Sequence, residues 1–320
     1  MTLLRIVGLA LLAIAPMASH AQDYPSKSVR IIVGFAAGGS VDLAARVVAQ
    51  GLTELWGQSV IVENKPGAGG TIAADYVAKA SPDGYTLLLG DISSNAAAAG
   101  LYSNLPYDPV KDFAHVTRLV SFPIVFYVTT ASPITSLNDL IAQSKAKPGS
   151  LRYGTGGVGT APHLFGELLN QMAGIKTEAI HYKGSALSVN GLLAGDVEFS
   201  ASSIATVKAQ IDGGRVRAIA VSTATSVPGL PGVPPIGSVV PGYEAVTFHG
   251  LHAPARTSPA IVAKINRDVV KVMQSPDVKK RFAELSAEVS TTTPEEFAAY
   301  IQQQTELWGK VIRTANIRAD

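Results

Sequence analysis

The chain has 320 residues, 47% of them apolar and 16% charged, with no cysteine; disulfides, thiolate metal sites and a cysteine nucleophile are excluded, and stability has to come from a hydrophobic core. Its 26 basic and 24 acidic residues nearly cancel, so no broad field draws the protein to nucleic acid or an anionic membrane, and any anion selectivity is local. A chain of about 300 residues exceeds one comfortable core and points to two lobes.

Residues 1–21 carry a single charge, Arg5, then an apolar run, then Ser19-His20-Ala21 with small residues where a signal peptidase reads. Pro16, Ser19 and His20 cut the run short of the about 20 apolar residues a spanning helix needs. The reading is a leader cleaved near Ala21, leaving no membrane anchor.

Residues 29–35 are β-branched and apolar almost throughout and predict a buried parallel strand. A helix over 41–56 follows, with Leu43, Ala44, Val47, Val48, Gly51, Leu52 and Leu55 on one face. Then come a strand at 60–63, a turn at 67–70, a helix at 72–80, the tight turn Ser81-Pro82-Asp83-Gly84 and a strand at 85–90. This order implies a parallel sheet covered by helices, with ligand groups at the carboxyl ends of the strands.

A second α/β rhythm starts near Ile124, with strands at 125–129, 151–153, 178–181, 197–200 and 218–222. Helices at 137–144, 161–173, 185–194 and 204–212 alternate with them. The phrase Pro228-Gly229-Leu230-Pro231-Gly232-Val233-Pro234-Pro235 breaks the rhythm. A strand at 246–251 and helices at 258–273, 276–286 and 294–312 close the chain, each helix opened by a Ser, Thr or Pro start signal. Those helices need a sheet to pack on, and the economical solution returns them to the first lobe. The chain then crosses twice, near 121–127 and 243–250, making a hinge with a cleft between lobes. The expected fold is α/β, with lobe 1 at 22–123 plus 248–320 and lobe 2 at 124–247.

Two glycine phrases stand out: Phe35-Ala36-Ala37-Gly38-Gly39-Ser40-Val41-Asp42 and Tyr153-Gly154-Thr155-Gly156-Gly157-Val158-Gly159-Thr160. Each joins a strand to a helix, where unpaired N–H groups and the positive end of the helix dipole suit an anion. Gly154-x-Gly156-x-x-Gly159 also matches the dinucleotide fingerprint. Its mid-chain position, the export leader and the crowding of the helix start by Pro162 and His163 favour a carboxylate instead. No Gly-x-Ser-x-Gly elbow or His-Glu-x-x-His helix is present, so no metal, cofactor or nucleophile is expected.

Ordered phrases from Tyr24 to the C-terminus carry a family resemblance. They include Gly38-Gly39-Ser40-Val41-Asp42 with Ala45-Arg46, Val62-Glu63-Asn64-Lys65-Pro66-Gly67-Ala68-Gly69-Gly70, Ser81-Pro82-Asp83-Gly84-Tyr85, Tyr107-Asp108-Pro109, Tyr182-Lys183-Gly184 and Thr293-Pro294-Glu295-Glu296-Phe297. The chain resembles the Bug-type (TctC-like) extracytoplasmic solute receptors of tripartite tricarboxylate transporters. That resemblance implies a two-lobed periplasmic-binding-protein fold, type II-like, in a monomeric periplasmic protein. It also implies no enzymatic activity, a small carboxylate ligand and a membrane permease as partner. Position by position, it implies ligand contacts from Phe35, Ala36, Ala37, Gly38, Gly39 and Ser40 in the first lobe. In the second it implies Thr155, Gly157, Gly159 and Thr160, with His163 just inside the helix. The family commonly has proline at Ala37, and often Asp or Asn at Ser202-Ser203; without that acid an α-amino group lacks its counter-charge.

Several residues keep two readings. Asp42 could repel an anion or cap its helix; His163 could touch the ligand or cap its own. Lys183 could answer a second carboxylate, with His181 and Tyr182 beside it. Asp91, Ser93, Ser94 and Asn95 could line the cleft or only shape a loop, and Ser202 lies at the presumed wall. His249 and His252 flank the second crossing, which suits a hinge. A sensory adaptor for a membrane receptor kinase and a secreted α/β enzyme are the alternative functions.

Overall fold

The structure, a computed structural model, describes residues 24–319; the leader at 1–21 and its cleavage point lie outside the described residues. Strand β1 (Val29–Val33) leads through the first glycine phrase to α1 (Ser40–Trp56), followed by β2 (Val60–Asn64), α2 (Thr71–Ala78) and β3 (Thr86–Asp91). A π-turn over Ser93–Ala97 runs into the short α3 (Ala98–Leu101), and β4 (Phe113–Phe122) completes this part. The second lobe holds β5 (Ile124–Thr129), α4 (Leu137–Ala146), β6 (Arg152–Thr155), α5 (Ala161–Ala173), β7 (Glu178–His181) and α6 (Ser185–Ala194). It continues with β8 (Phe199–Ser203), α7 (Ile204–Asp212) and β9 (Val216–Val221). The chain returns as β10 (Thr247–Pro254), α8 (Pro259–Met273), α9 (Pro276–Glu284), β11 (Glu288–Val289) and α10 (Pro294–Thr314).

These strands form two sheets, ordered β11-β4-β10-β3-β1-β2 and β7-β6-β8-β5-β9. The expected all-parallel pairing holds only for β1 with β2 and β3, and for β6 with β7 and β8. β10 is antiparallel to both β3 and β4, and β5 to both β8 and β9. The crossings explain the reversal. The chain leaves each sheet at the carboxyl edge of its parallel strands, so the strand that enters the other sheet there has to run against its neighbours. β4 passes into β5 through Pro123 alone. Ser222 N–H donates to Ile124 O at 2.9 Å, and Phe122 pairs with Thr247, so the two crossings lie side by side.

Strand β4 is absent from the sequence reading because His115, Thr117 and Arg118 break its apolar run. Those polar groups are satisfied inside: His115 Nδ1 lies 2.9 Å from His252 Nδ1, and Thr117 Oγ1 donates to Thr292 O at 2.9 Å. In α1 the buried stripe centres on Val41, Ala44, Ala45, Val48 and Leu52. Leu43 and Leu55, expected on that face, are 39% and 37% exposed because they flank the stripe. Alternation along β1 places Val29, Ile31 and Val33 against α1 and α8, and Ile32 against α2. A further cluster joins the lobes: Ile92, Ala97 and Leu101 from the first sheet's flank, Phe126, Phe165 and Phe199 from the second, and Trp308 of α10.

Candidate ligand cleft

Because β1, β2 and β3 run parallel, α1, α2 and the π-turn all start at one edge of the first sheet; for the same reason α5, α6 and α7 start at one edge of the second. Helix starts present unpaired amides and the positive end of the dipole. The sequence reading singled out two of these starts. The others, at Gly70-Thr71, Gly184-Ser185 and Ser203-Ile204, follow the same strand–small residue–helix rhythm.

In the first glycine loop, Gly38 has φ 86°, a left-handed backbone that glycine adopts without strain. Its N–H donates to Asp42 Oδ2 at 2.9 Å. Asp42, only 1% exposed, also accepts from Arg46 Nε at 2.8 Å, Arg46 Nη2 at 3.0 Å and Asn64 Nδ2 at 2.9 Å. Burial opposes its charge, yet the Arg46, Gly38 and Asn64 hydrogen bonds outweigh it and hold the carboxyl at about 2. Of its two readings, the structural one is nearer what is seen, as a brace and not a cap: Asp42 holds the Gly38 amide just ahead of α1, while the N-cap residue Gly39 receives no side-chain bond. The first backbone bond of α1 is Leu43 N–H to Gly39 O at 2.9 Å, so the amides of Ser40, Val41 and Asp42 precede the ladder. Residues 36–40 are exposed, while Phe35 is half-buried with its ring beside Gly70.

The second loop is more self-contained. Gly157 N–H donates to Thr155 Oγ1 at 3.3 Å, Thr160 Oγ1 to Gly157 O at 2.8 Å, and Gly159 N–H to His163 Nδ1 at 3.1 Å. His163 therefore caps the turn that precedes its own helix. Burial, with the neighbouring His181, pushes its pKa down to about 3 and keeps it neutral. The His163 and His181 rings meet edge-on at 4.5 Å, and His181 Nδ1 lies 2.8 Å from Thr155 Oγ1. Gly159 and Gly157 thus use their amides internally; Leu164 N–H to Thr160 O at 3.0 Å is the first bond of α5, leaving the Ala161 and His163 amides ahead of the ladder. The fingerprint glycines have a local reason as well. A Cβ on Gly154 would stand 2.5 Å from Ser188 Oγ, and one on Gly156 2.8 Å from Ser185 Oγ, so close packing of α6 is enough to require glycine at both positions.

Cross-lobe contacts bring the loops together. Ser93 Oγ donates to Gly159 O at 3.4 Å, and Gly159 packs against Leu101. Ser40 Oγ lies 3.5 Å from His249 Nε2, and His249 is paired across the sheet with Asp91. The first loop thus meets His249 itself, and the second meets Ser93, whose turn Asp91 holds. Asp91 accepts the N–H groups of Ser93 and Ser94 at 3.0 and 3.1 Å, fixing the π-turn that carries Ser93; burial, partly offset by these bonds, pushes its pKa up to about 6. Asn95 is fully buried with its Oδ1 accepting from Ser94 Oγ at 2.8 Å, so it belongs to the packing beneath the loop. Lys183 is exposed on a turn laced to the second loop, where Tyr182 N–H donates to Thr155 O at 3.0 Å and Gly184 N–H to Gly156 O at 3.1 Å. Ser202 is buried, its hydroxyl on Ser203 O at 3.2 Å. Among the described residues, no three His, Cys, Asp or Glu side chains stand where they could hold a metal ion.

A two-lobed α/β protein whose helix starts meet across a cleft is a periplasmic-binding-protein fold. The chain belongs to the tripartite tricarboxylate transporter family receptor family, which residues 44–317 match. It is 34% identical to the protein BugT of Bordetella pertussis over 315 residues, 97% of this chain and 96% of that one. An R. palustris protein solved with adipate superposes at TM-score 0.82 with 34% identity, covering 92% of this chain and 99% of the other. MatC of Rhodopseudomonas palustris, solved with bound malate, superposes at 0.78 with 29% identity, covering 90% and 100%. No helix among the described residues is long and apolar enough to cross a membrane.

Proposed function

We propose that this chain is a periplasmic receptor that captures a small carboxylate, adipate- or malate-like in size, by closing its lobes, and hands it to a tripartite tricarboxylate-type permease. The observation that carries the reading is the approach of the two glycine loops, one from each lobe, to the β3–β10 strand pair: Ser40 of the first lies against His249, and Gly159 of the second accepts from Ser93, two residues beyond Asp91. In this reading the lobes move as 22–123 plus 248–320 against 124–247. One carboxylate docks on the first-turn amides and hydroxyl of Ser40 together with the Gly39 and Val41 amides. The Ala161 and His163 amides close from the second lobe, while Ser93 and Gly159 set the spacing between the loops. Lys183, exposed on the turn laced to the second loop, answers a second carboxylate.

A hydrogen bond to a charged group contributes about 1.5–3 kcal/mol. Four of them at the upper end, about 12 kcal/mol, less an association cost of about 4 kcal/mol, give about −8 kcal/mol, a micromolar Kd. No arginine clamp is needed. Calorimetric titration with a panel that includes adipate, malate and their diamides tests this. At a hundred-fold excess over Kd, a binding carboxylate should stabilise the fold by about 2.7 kcal/mol, and the diamides should not. Neither heat nor thermal stabilisation from any carboxylate would overturn the proposal.

A further inference from the structure

The returning strand β10 places one buried polar ring directly under the first ligand loop. His249 is 3% exposed, pairs with Asp91 on β3 and Val120 on β4, and lies 4.7 Å from the Phe122 ring. Its Nε2 is 3.5 Å from Ser40 Oγ, and its Nδ1 is buried with no partner among the described residues. A neutral imidazole carries one N–H and one lone pair. A proton on Nδ1 would bury an unpaired donor; a proton on Nε2 buries only an unpaired acceptor, the lesser penalty. Nε2–H then donates to Ser40 Oγ, and the Ser40 hydroxyl hydrogen has to point elsewhere. Ser40 is exposed at the first turn of α1, beside the open amides, so the open direction is the cleft.

We propose that His249 is a positioning residue that turns the Ser40 hydroxyl outward as a donor, making this loop select an ionised carboxylate over its neutral amide. The inference deepens the carboxylate reading and rests on it. The charged groups facing His249 do not compete for its ring. On β3, Asp91 is engaged by Ser93 and Ser94; on α1, Asp42 is engaged by Gly38, Arg46 and Asn64; β4 presents Val120 and Phe122. Burial also pushes the His249 pKa down to about 3, so the ring stays neutral through the neutral range.

Two measurements test it. Nitrogen-15 NMR of the ligand-free protein, with His249→Gln for assignment, reads the tautomer directly. A protonated Nε2 supports the proposal, and a protonated Nδ1 overturns it. Titration with adipate and malate then compares variants. Ser40→Ala and His249→Phe should each weaken binding about tenfold, and the double variant should be no weaker than either alone. His249→Gln, which keeps a donor near Nε2, should recover most of the loss. Additive losses, or a glutamine variant no better than phenylalanine, would overturn the positioning role. If the unaltered protein bound no carboxylate of the panel, the carboxylate reading would fall, and the tautomer would still decide the His249–Ser40 bond on its own. The tautomer equally decides the case if a variant does not fold.

Discussion

Asp42 shows how a charge beside the proposed anion site can serve it. Its carboxylate holds the Gly38 amide, the Arg46 guanidinium and the Asn64 side chain at once, and so shapes the loop from behind. Its folded pKa of about 2 lies below an aspartate's ordinary value of 3.8. The stability it contributes is therefore fully present above its unfolded pKa and is lost as pH falls through the folded value. Asp42→Asn should destabilise the protein by about 2 kcal/mol at pH 6, and the gap to the unaltered protein should close between about pH 4 and pH 2. Urea denaturation at stepped pH checks this, and a gap that persists in acid would refute it. The sequence supports both roles weighed for Asp42. Only the approach of Asn64, from the end of β2, settles between them.

At the scale of elements, α10 does more than cover a sheet. It packs along β4, α3 and the π-turn on one side and along α5 on the other. Trp308 is fully buried and stacks on Phe165 of α5 at 5.2 Å and 13°, and Gln171 of α5 donates to Val311 O at 2.9 Å. Truncating a buried tryptophan costs about 3–5 kcal/mol. Trp308→Ala should therefore lower the urea midpoint markedly, and it should loosen the seam between lobes more than either sheet. Hydrogen exchange would register that as lost protection in α5 and α10 ahead of β1 and β3. The start of α10 is legible in sequence: Thr293 and Glu296 form a capping box ahead of Phe297. Its contact with the second lobe is not, because an amphipathic stripe shows that a face is buried and not what buries it.

For the whole molecule, the adjacent crossings and the α5–α10 seam restrict the motion open to the lobes. On the second-lobe side, Tyr243 donates its hydroxyl to Phe165 O at 2.9 Å and so holds the α5 face of the seam in place. Lobe opening that preserves this apolar seam has to separate the polar contacts, such as Ser93 with Gly159, first. Small-angle scattering should show a smaller radius of gyration when a binding carboxylate is added. An unchanged radius at saturation would argue against hinge closure as the capture step.

The strand and helix order, the glycine turns and the capping signals are local properties, set by side-chain branching, periodicity and backbone freedom within a few residues. Residues 161–173, 178–181, 185–194 and 204–212 accordingly form the elements their patterns predict. The sense of β5 and β10, the existence of β4 and the work of His249 depend on partners far along the chain. β4 has polar residues at buried positions that His252 and Thr292, more than a hundred residues along the chain, help to satisfy, and His249 meets Ser40 across 209 residues. Sequence alone thus determined that two strand-to-helix turns could each hold an anion. Tertiary structure decided that the second turn meets Ser93 of the first lobe, that some of the turn amides are already bonded within the loops, and that a buried ring of β10 stands beside Ser40 at the first of them.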